Sequence, residues 1–565
     1  MLSTNTGQAL RADVHLHKNL GIVWRSSSDP PVDAWAKGFA FHDGTLLDAK
    51  GLGMLFAQTV TAAPGGETGQ RFAGLLCALN GNFAVVVRMD GLLFAAVDRL
   101  RSILLFYGEH DGTLCVSDDA FWVKEQVRDT VPDPLSVKEF MLTGYVTGSD
   151  TLFPNVKQLQ AGECLHWTAG EGRPRLSTHR YYRWIRGDYA DATQEELCAE
   201  MDCMHLRVFE RLLESTEGRT IVVPLSGGHD SRLIVTMLKR LGREDVICFS
   251  YGRPGNRESE VSRRVAETLG YPWRFVPYSR KSWRVWYNSA EWQAYSRYAC
   301  GLCSLPHLQD WPAVWVLREQ GQVPDDAVFI PGHSVVYEER PVEEELVIDA
   351  ILRYHYSLFD WAGRRHELYP LFRARILRTL GDLAVFPDNA SAFESWDVAE
   401  RQPKFITNSL RVYEFWGYDW RVPLWDNEMM AYWTRVPLHL RVGKRLYKAA
   451  VAQVCGGVGL KESALSDAPS LGRARIVVAV ETAFGGTPFW RAIETLHRAA
   501  GLVTGFWSHP MAWYGINSFG GHLRQALRPD ALGAAKFCIN SLLVKSEAAR
   551  VGIDVQHWSL LDGGS

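Results

Sequence analysis

The chain has no apolar run long enough to cross a bilayer, and its first residues lack the charged-then-apolar pattern of an export signal. A cytoplasmic protein without a membrane span is therefore expected. An excess of one charge is also missing. Its 61 basic and 64 acidic residues leave a formal net charge of −3, which argues against a general nucleic-acid partner. Cysteine is sparse, ten in 565 residues, so reduced thiols are expected rather than a disulfide framework. Cys300-Gly301-Leu302-Cys303 with His307 nearby lacks the second ligand pair that a zinc site needs, and these cysteines are read as packing residues. There is no internal repeat and no low-complexity tract. With 47% hydrophobic and 22% charged residues, the composition is that of folded domains with large cores.

What is present falls into two patterns. The front third reads as short strands with turns. Phe83–Arg88 and Leu92–Val97 flank Met89-Asp90-Gly91 as a hairpin, followed by β-like runs at Ile103–Tyr107 and Leu114–Ser117. A polar stretch, Arg186–Glu196, precedes a helical segment at Leu197–Leu213. From Thr220 strands alternate with helices. Strands are expected at Ile221–Leu225, Val246–Tyr251, Trp273–Tyr278 and Ala327–Pro331, with helices near 231–241, 259–269 and 308–319. Such alternation predicts a parallel sheet with ligands at the carboxyl ends of its strands. The last third is helix-like and rich in tryptophan.

One turn carries most of the chemistry. Pro224-Leu225-Ser226-Gly227-Gly228-His229-Asp230-Ser231 joins the first of these strands to its helix. Gly227 and Gly228 let backbone N–H groups approach an oxyanion, and the new helix adds its positive end. Ser226 and Ser231 can donate to phosphate oxygens, and Asp230 can hold a divalent metal. No lysine follows the glycines, so this is not the Gly-Lys-Ser/Thr loop of kinases and GTPases.

The turn resembles the Ser-Gly-Gly-x-Asp-Ser loop of the pyrophosphate-releasing (PP-loop) ATPases, and the chain as a whole resembles the asparagine synthetase superfamily. Leu79–Ala84 and Val97–Tyr107 are similar to motifs of that family's glutaminase-type domain. Phe249–Gly252, Glu258, Glu260, Val265-Ala266, Leu269-Gly270, Arg421–Asp426 and Lys461-Glu462 with Ser466-Asp467 are similar to motifs of its synthetase domain. The resemblance implies an α/β two-domain protein. It implies that residues 1–185 form an Ntn-type α+β sandwich, a degenerate glutaminase, and that residues 190–565 form a PP-loop ATP pyrophosphatase domain with a parallel sheet and a helical C-terminal extension. It also implies that Leu225, Tyr251 and Gly332 hold adenosine, that Glu258 lies on the pyrophosphate side, and that Lys461 places a positive charge on the α-phosphate.

Two departures from the family stand out. Glutaminase chemistry needs a free N-terminal cysteine, whereas this chain begins Met1-Leu2-Ser3. The family's Asn-Gly-Glu segment is missing, with His42-Asp43-Gly44 in that region. Asp98 matches the position that holds the glutamine amino group in relatives but is read as structural. The front domain is therefore expected not to hydrolyse glutamine. At the fourth strand, Pro331-Gly332-His333-Ser334-Val335-Val336-Tyr337-Glu338 puts valine where relatives have a magnesium-binding aspartate. Metal binding then rests on Asp230, phosphates and water, with Glu338 or Glu339 as helpers. His333 replaces a family glutamate near the reacting carboxylate and is expected either as a general base or as a packed neutral ring. Arg411, Glu414, Arg421 and Asp426 are either an internal salt-bridge network or a substrate-binding set.

The function expected is an ATP- and Mg2+-dependent amide-forming ligase that adenylates a small-molecule or glycan carboxylate and passes it to ammonia or an amine, the ammonia free or from a separate glutaminase. Pro331-Gly332-His333 and Asn408–Tyr418 resemble a subgroup encoded with surface-polysaccharide genes, which implies a sugar uronic acid. Intramolecular closure, as in β-lactam synthetases and lasso-peptide cyclases, is the alternative within this chemistry. A non-catalytic nucleotide-binding scaffold and an RNA-modifying PP-loop enzyme are the alternatives outside it, the latter disfavoured by the charge balance. The oligomeric state, a homodimer included, is left open.

Overall fold

The computed structural model describes residues 11–16, 22–25, 31–62, 67–169, 174–337, 346–356, 369–460, 503–526 and 535–553. The front part contains β1 (Ala12–His15), β2 (Ile22–Arg25), β3 (Asp33–His42), β4 (Thr45–Leu47), α1 (Ala49–Thr61), α2 (Thr68–Ala78), β5 (Asn80–Met89), β6 (Leu92–Val97), β7 (Phe106–His110), β8 (Thr113–Ser117), α3 (Ala120–Gln126), α4 (Pro134–Thr143), β9 (Lys157–Gln158), β10 (Glu163–Thr168) and β11 (Arg175–Arg180). These strands form two sheets. One runs β1-β8-β7-β9. The other runs β11-β10-β6-β5-β3-β2, with β4 added beside β3.

The alternation along β5 explains the layering. Phe83, Val85 and Val87 point to one face and pack on Leu52, Phe56 and Val60 of α1 and on Phe72 and Leu76 of α2. Ala84 and Val86 point to the other and meet Tyr107, Leu114 and Val116 of the second sheet. Beyond that sheet, Phe106 packs with Val123 of α3 and Phe140 of α4. The result is helix, sheet, sheet, helix, with both sheets covered on both faces. The expected hairpin is there, Met89 opposite Leu92, with Gly91 at φ +66° in the turn. The strand expected at Ile103–Tyr107 begins only at Phe106, because a turn at Asp98–Ser102 holds the chain just before it.

The long helix α5 (Gln194–Glu214) opens with a capping box in which Thr193 and Glu196 satisfy each other's backbone amides. Next come β12 (Ile221–Pro224), α6 (His229–Arg240), β13 (Val246–Gly252), α7 (Arg257–Leu269) and β14 (Trp273–Pro277), then β15 (Val328–Phe329) and β16 (Asp419–Trp420). The sheet order is β14-β13-β12-β15-β16, and every neighbouring pair is parallel. Ile221, Val222 and Val223 are fully buried, as expected of a central strand covered on both faces. The fifth strand was not expected from sequence, because its two residues lie inside an aromatic run. The remaining described elements after β15 are helical.

Candidate nucleotide-binding site

The end of β12 and the start of α6 build the loop. The Ser226 amide donates to Ser231 Oγ (3.1 Å), the two hydroxyls lie 3.0 Å apart, and Ser226 Oγ accepts the Gly228 amide (3.1 Å). Arg232 donates to the Gly227 carbonyl (2.9 Å), which fixes the far side of the turn. Ser231 is buried while Gly228 is exposed, so the turn is anchored from below and open above. No side chain caps α6, and its first amides keep their donors free for an anion. Leu225 is buried behind the loop, its amide bonded to the Phe249 carbonyl (2.8 Å).

Several expected site residues converge here. Gly332, beyond the end of β15, approaches the loop so closely that a Cβ would stand 2.9 Å from the Ser231 amide nitrogen. The Glu258 side chain lies beside Gly227, and Glu258 itself is exposed in the first turn of α7. Tyr251 stands near the carboxyl end of the neighbouring strand β13. Asp230 points at Tyr447 of the helix Arg445–Gly457, whose buried phenol donates to Asp230 Oδ1 (2.8 Å). Oδ2 of Asp230 has no partner among the described residues. Lys461, Glu338 and Glu339 lie outside the described residues.

The arrangement fits a single divalent cation held by one carboxylate, because Mg2+ commonly keeps several waters and takes its remaining ligands from phosphates. Val336 is buried in the core and supplies no ligand. No group of three or more metal-ligating His, Cys, Asp or Glu side chains occurs among the described residues.

His333 departs from the general-base expectation. Its Nε2 is 2.6 Å from Ser409 Oγ, and burial pulls its pKa down to about 4, with Asp310 opposing that shift. The ring is neutral at pH 7 and too weak a base to take a proton from an ammonium ion. Of the two expected roles, this geometry fits the packed neutral ring better.

The candidate substrate set has its charged groups engaged by neighbours between the front sheets and the parallel sheet, which fits the internal-network alternative. Arg411 pairs with Glu414 (2.9 Å) and donates to the Ser102 carbonyl. Glu414 also accepts from Tyr298 (2.6 Å) and Trp420 (3.0 Å) and faces Lys37 (3.3 Å). Burial acts to raise the Glu414 pKa, but Arg411 and Lys37 outweigh it and bring the carboxyl to about 2. Arg421 donates to the Trp420 and Ser215 carbonyls (2.8 and 3.0 Å) and lies over the Phe39 ring (4.1 Å). Asp426 receives Arg211 through two bonds (2.9 and 3.0 Å) and Asn80 (3.0 Å). A cavity of about 430 Å³ opens at this junction, lined in part by Lys37, Phe39, Glu414, Trp420 and Arg421.

In the front domain, His42-Asp43-Gly44 is the turn between β3 and β4, with Asp43 and Gly44 at φ +50° and +78°. Asp98 is buried, and its carboxylate accepts the amides of Phe83 (3.2 Å), Leu100 (2.8 Å) and Ser102 (3.1 Å) as well as the Ser102 hydroxyl. Burial raises it to about 6 in spite of these donors. The structural reading of Asp98 fits this geometry. Cys300 and Cys303 are buried, as packing residues are.

Two features escaped the sequence reading. Tyr447 is one, an aromatic in an amphipathic helix with no distinguishing signal. The other is Asp310, which precedes Trp311-Pro312 and reads as a helix cap, yet makes no cap bond. Its carboxylate instead accepts from Tyr251 (2.5 Å), Tyr413 (2.8 Å) and His307 (3.0 Å). Burial opposes its ionisation, but His307 and the two phenols hold its pKa at about 2.

Fold and loop together define a parallel-sheet α/β domain with a glycine turn open at the end of its central strand, and a four-layer sandwich before it in the chain. Residues 213–282, which contain the loop, match the asparagine synthase family model. A probable glutamine-hydrolysing asparagine synthetase of Acanthamoeba polyphaga mimivirus is 28% identical over 220 residues, which span 37% of this chain and 36% of that protein. The chain is thus similar to asparagine synthetases over the region that carries the loop, and it spans about a third of the length of this relative. Among solved structures, glutamine phosphoribosylpyrophosphate amidotransferase from B. subtilis is 12% identical at a TM-score of 0.21, covering 59% of this chain and 70% of its own. The ammonia-dependent NAD synthetase from Campylobacter jejuni is 14% identical at a TM-score of 0.18, covering 34% of this chain and 90% of its own. Likeness at that level fixes neither activity nor ligand.

Proposed function

We propose that this chain is an ATP-dependent ligase that adenylates a carboxylate, releasing pyrophosphate, and transfers the acyl group to ammonia or an amine. The observation that carries this is the anchored, outward-open turn Ser226–Ser231, with Asp230 at its head and Gly332 packed against its base. A carboxylate has no good leaving group, and bond formation to the α-phosphate supplies one. The charge that develops on pyrophosphate meets the Ser226 and Ser231 hydroxyls and the first amides of α6, all held in place before reaction. A bound Mg2+ would neutralise phosphate charge, and Asp230 Oδ2 is the atom offered to it. Leu225, Tyr251 and Gly332 would border the adenosine, Glu258 would border the pyrophosphate, and Lys461 would add positive charge at the α-phosphate.

The acid is a sugar uronic acid or similar small molecule, a reading supported by the resemblance of Pro331-Gly332-His333 and Asn408–Tyr418 to the polysaccharide-associated subgroup. The front domain does not generate ammonia from glutamine. The Asp98 carboxylate is occupied by its own turn, which supports this. The division at about residues 185–190 and a cytoplasmic location belong to the same reading.

Pyrophosphate release with a panel of acids tests the proposal. Release that needs both a uronic acid and ammonia supports it. Release without added amine points to ring closure, and ATP binding without release for any acid points to a scaffold.

A further inference from the structure

The group that takes the proton from the attacking nitrogen is unassigned once His333 is a neutral, packed ring. We propose that His307, oriented by Asp310, is that base; the assignment rests on the amide-forming reading above.

The geometry defines a histidine with one nitrogen fixed and the other available. His307 Nε2 lies 3.0 Å from Asp310 Oδ1. An ionised carboxylate only accepts, so Nε2 carries the hydrogen and Nδ1 keeps the basic lone pair. Nδ1 has no partner among the described residues, and the side chain is 25% exposed whereas Asp310 is 10% exposed. The loop that carries the pair is pinned at two points. Tyr295 donates to the His307 carbonyl (2.9 Å) and Tyr278 to the Gln309 carbonyl (2.6 Å).

The pair also sits beside the nucleotide loop. Asp310 accepts from Tyr251, near the end of β13, and from Tyr413, which stacks on Phe329 of β15 at 4.7 Å. Those two strands flank β12, which carries the loop. His333 lies within the field of both Asp310 and His307, and its neighbour Gly332 touches Ser231. Ser231, Gly332 and His333 thus lie on the same side of the sheet as the pair, with His333 close enough to feel its charge. The titratable side chain bonded to His307 is Asp310, which the phenols of Tyr251 and Tyr413 also bond, while the phenols of Tyr295 and Tyr278 hold the backbone of the loop.

In the step, ammonia attacks the carbonyl carbon of the acyl-adenylate and a C–N bond forms. The C–O bond to AMP breaks, and AMP leaves with the electron pair. The one proton that nitrogen must lose passes to His307 Nδ1, and the resulting imidazolium, stabilised by Asp310, returns it to water through its exposed edge.

His307→Gln separates this role from adenylation. With glucuronate as acid, ATP–pyrophosphate exchange is expected to stay within about two-fold of the unmodified protein. Amide formation with ammonium chloride should fall at least about 100-fold, the usual scale for a lost general base. Amide formation unchanged in His307→Gln overturns the assignment, and so does equal loss of exchange and amide formation. Absence of exchange in the unmodified protein overturns the ligase reading and this assignment together.

Discussion

Tyr447 donates a 2.8 Å hydrogen bond to Asp230 Oδ1, tying the head of the nucleotide loop to a helix more than two hundred residues later in the chain. The bond leaves Oδ2 as the carboxylate oxygen that the proposed Mg2+ would use. Tyr447→Phe removes a hydrogen bond to a charged group, an interaction of about 1.5–3 kcal/mol. The Mg2+ concentration for half-maximal pyrophosphate release is expected to rise about ten-fold. Unchanged Mg2+ dependence would remove Tyr447 from the site.

Asp230→Ala and Ser226→Ala should each abolish pyrophosphate release while leaving the far-ultraviolet circular dichroism spectrum intact. Normal turnover in both variants would place the active site elsewhere.

Gly332→Ala introduces a Cβ 2.9 Å from the Ser231 amide nitrogen, so backbone must shift. ATP affinity, read by isothermal titration, should drop about ten-fold, with a thermal midpoint only a few degrees lower. A variant that binds ATP normally would show that the contact between the two loops is incidental.

Glu414 and Asp310 are buried acids held at about 2, below their usual values of 4.5 and 3.8. A depressed carboxyl stabilises the fold above its unfolded pKa, and that stability is lost as pH falls through the folded value. Each group contributes roughly 2–3.5 kcal/mol on this reasoning. Urea midpoints should fall steeply between pH 5 and pH 2, and Glu414→Gln should flatten part of that slope. At pH 7, Arg411→Ala leaves Glu414 underpaired and should cost about 3–5 kcal/mol. A variant of full stability with a raised substrate KM would instead restore Arg411 to substrate binding.

The purified chain should release no glutamate from glutamine. Efficient release in a coupled glutamate assay would refute the reading of the front domain as a degenerate glutaminase.

Local rules made much of this legible in advance. Period-two alternation and Asp90-Gly91 announced the β5–β6 hairpin, and strand-glycine-helix chemistry announced the loop from Ser226 to Ser231. Helix boundaries at α6 and α7 came within two residues, because Asn256 and the glycines mark where helices begin. Roles assigned by residue type alone were less secure. His333 reads equally as a base or a packed ring until its burial is known, and Arg411 and Arg421 read as network or substrate residues until their partners are seen.

Sequence by itself determined the loop, the order of its strands and helices and the absence of a second carboxylate at Val336, because each depends on residues adjacent in the chain. Tertiary structure alone decided which charges face one another. Asp310 meets Tyr251, Tyr413 and His307, and Asp230 meets Tyr447, only because parallel strands bring distant carboxyl ends to one edge of the sheet. Whether a buried acid or imidazole stays charged depends on those neighbours and on lost water, neither of which is written in the order of residues.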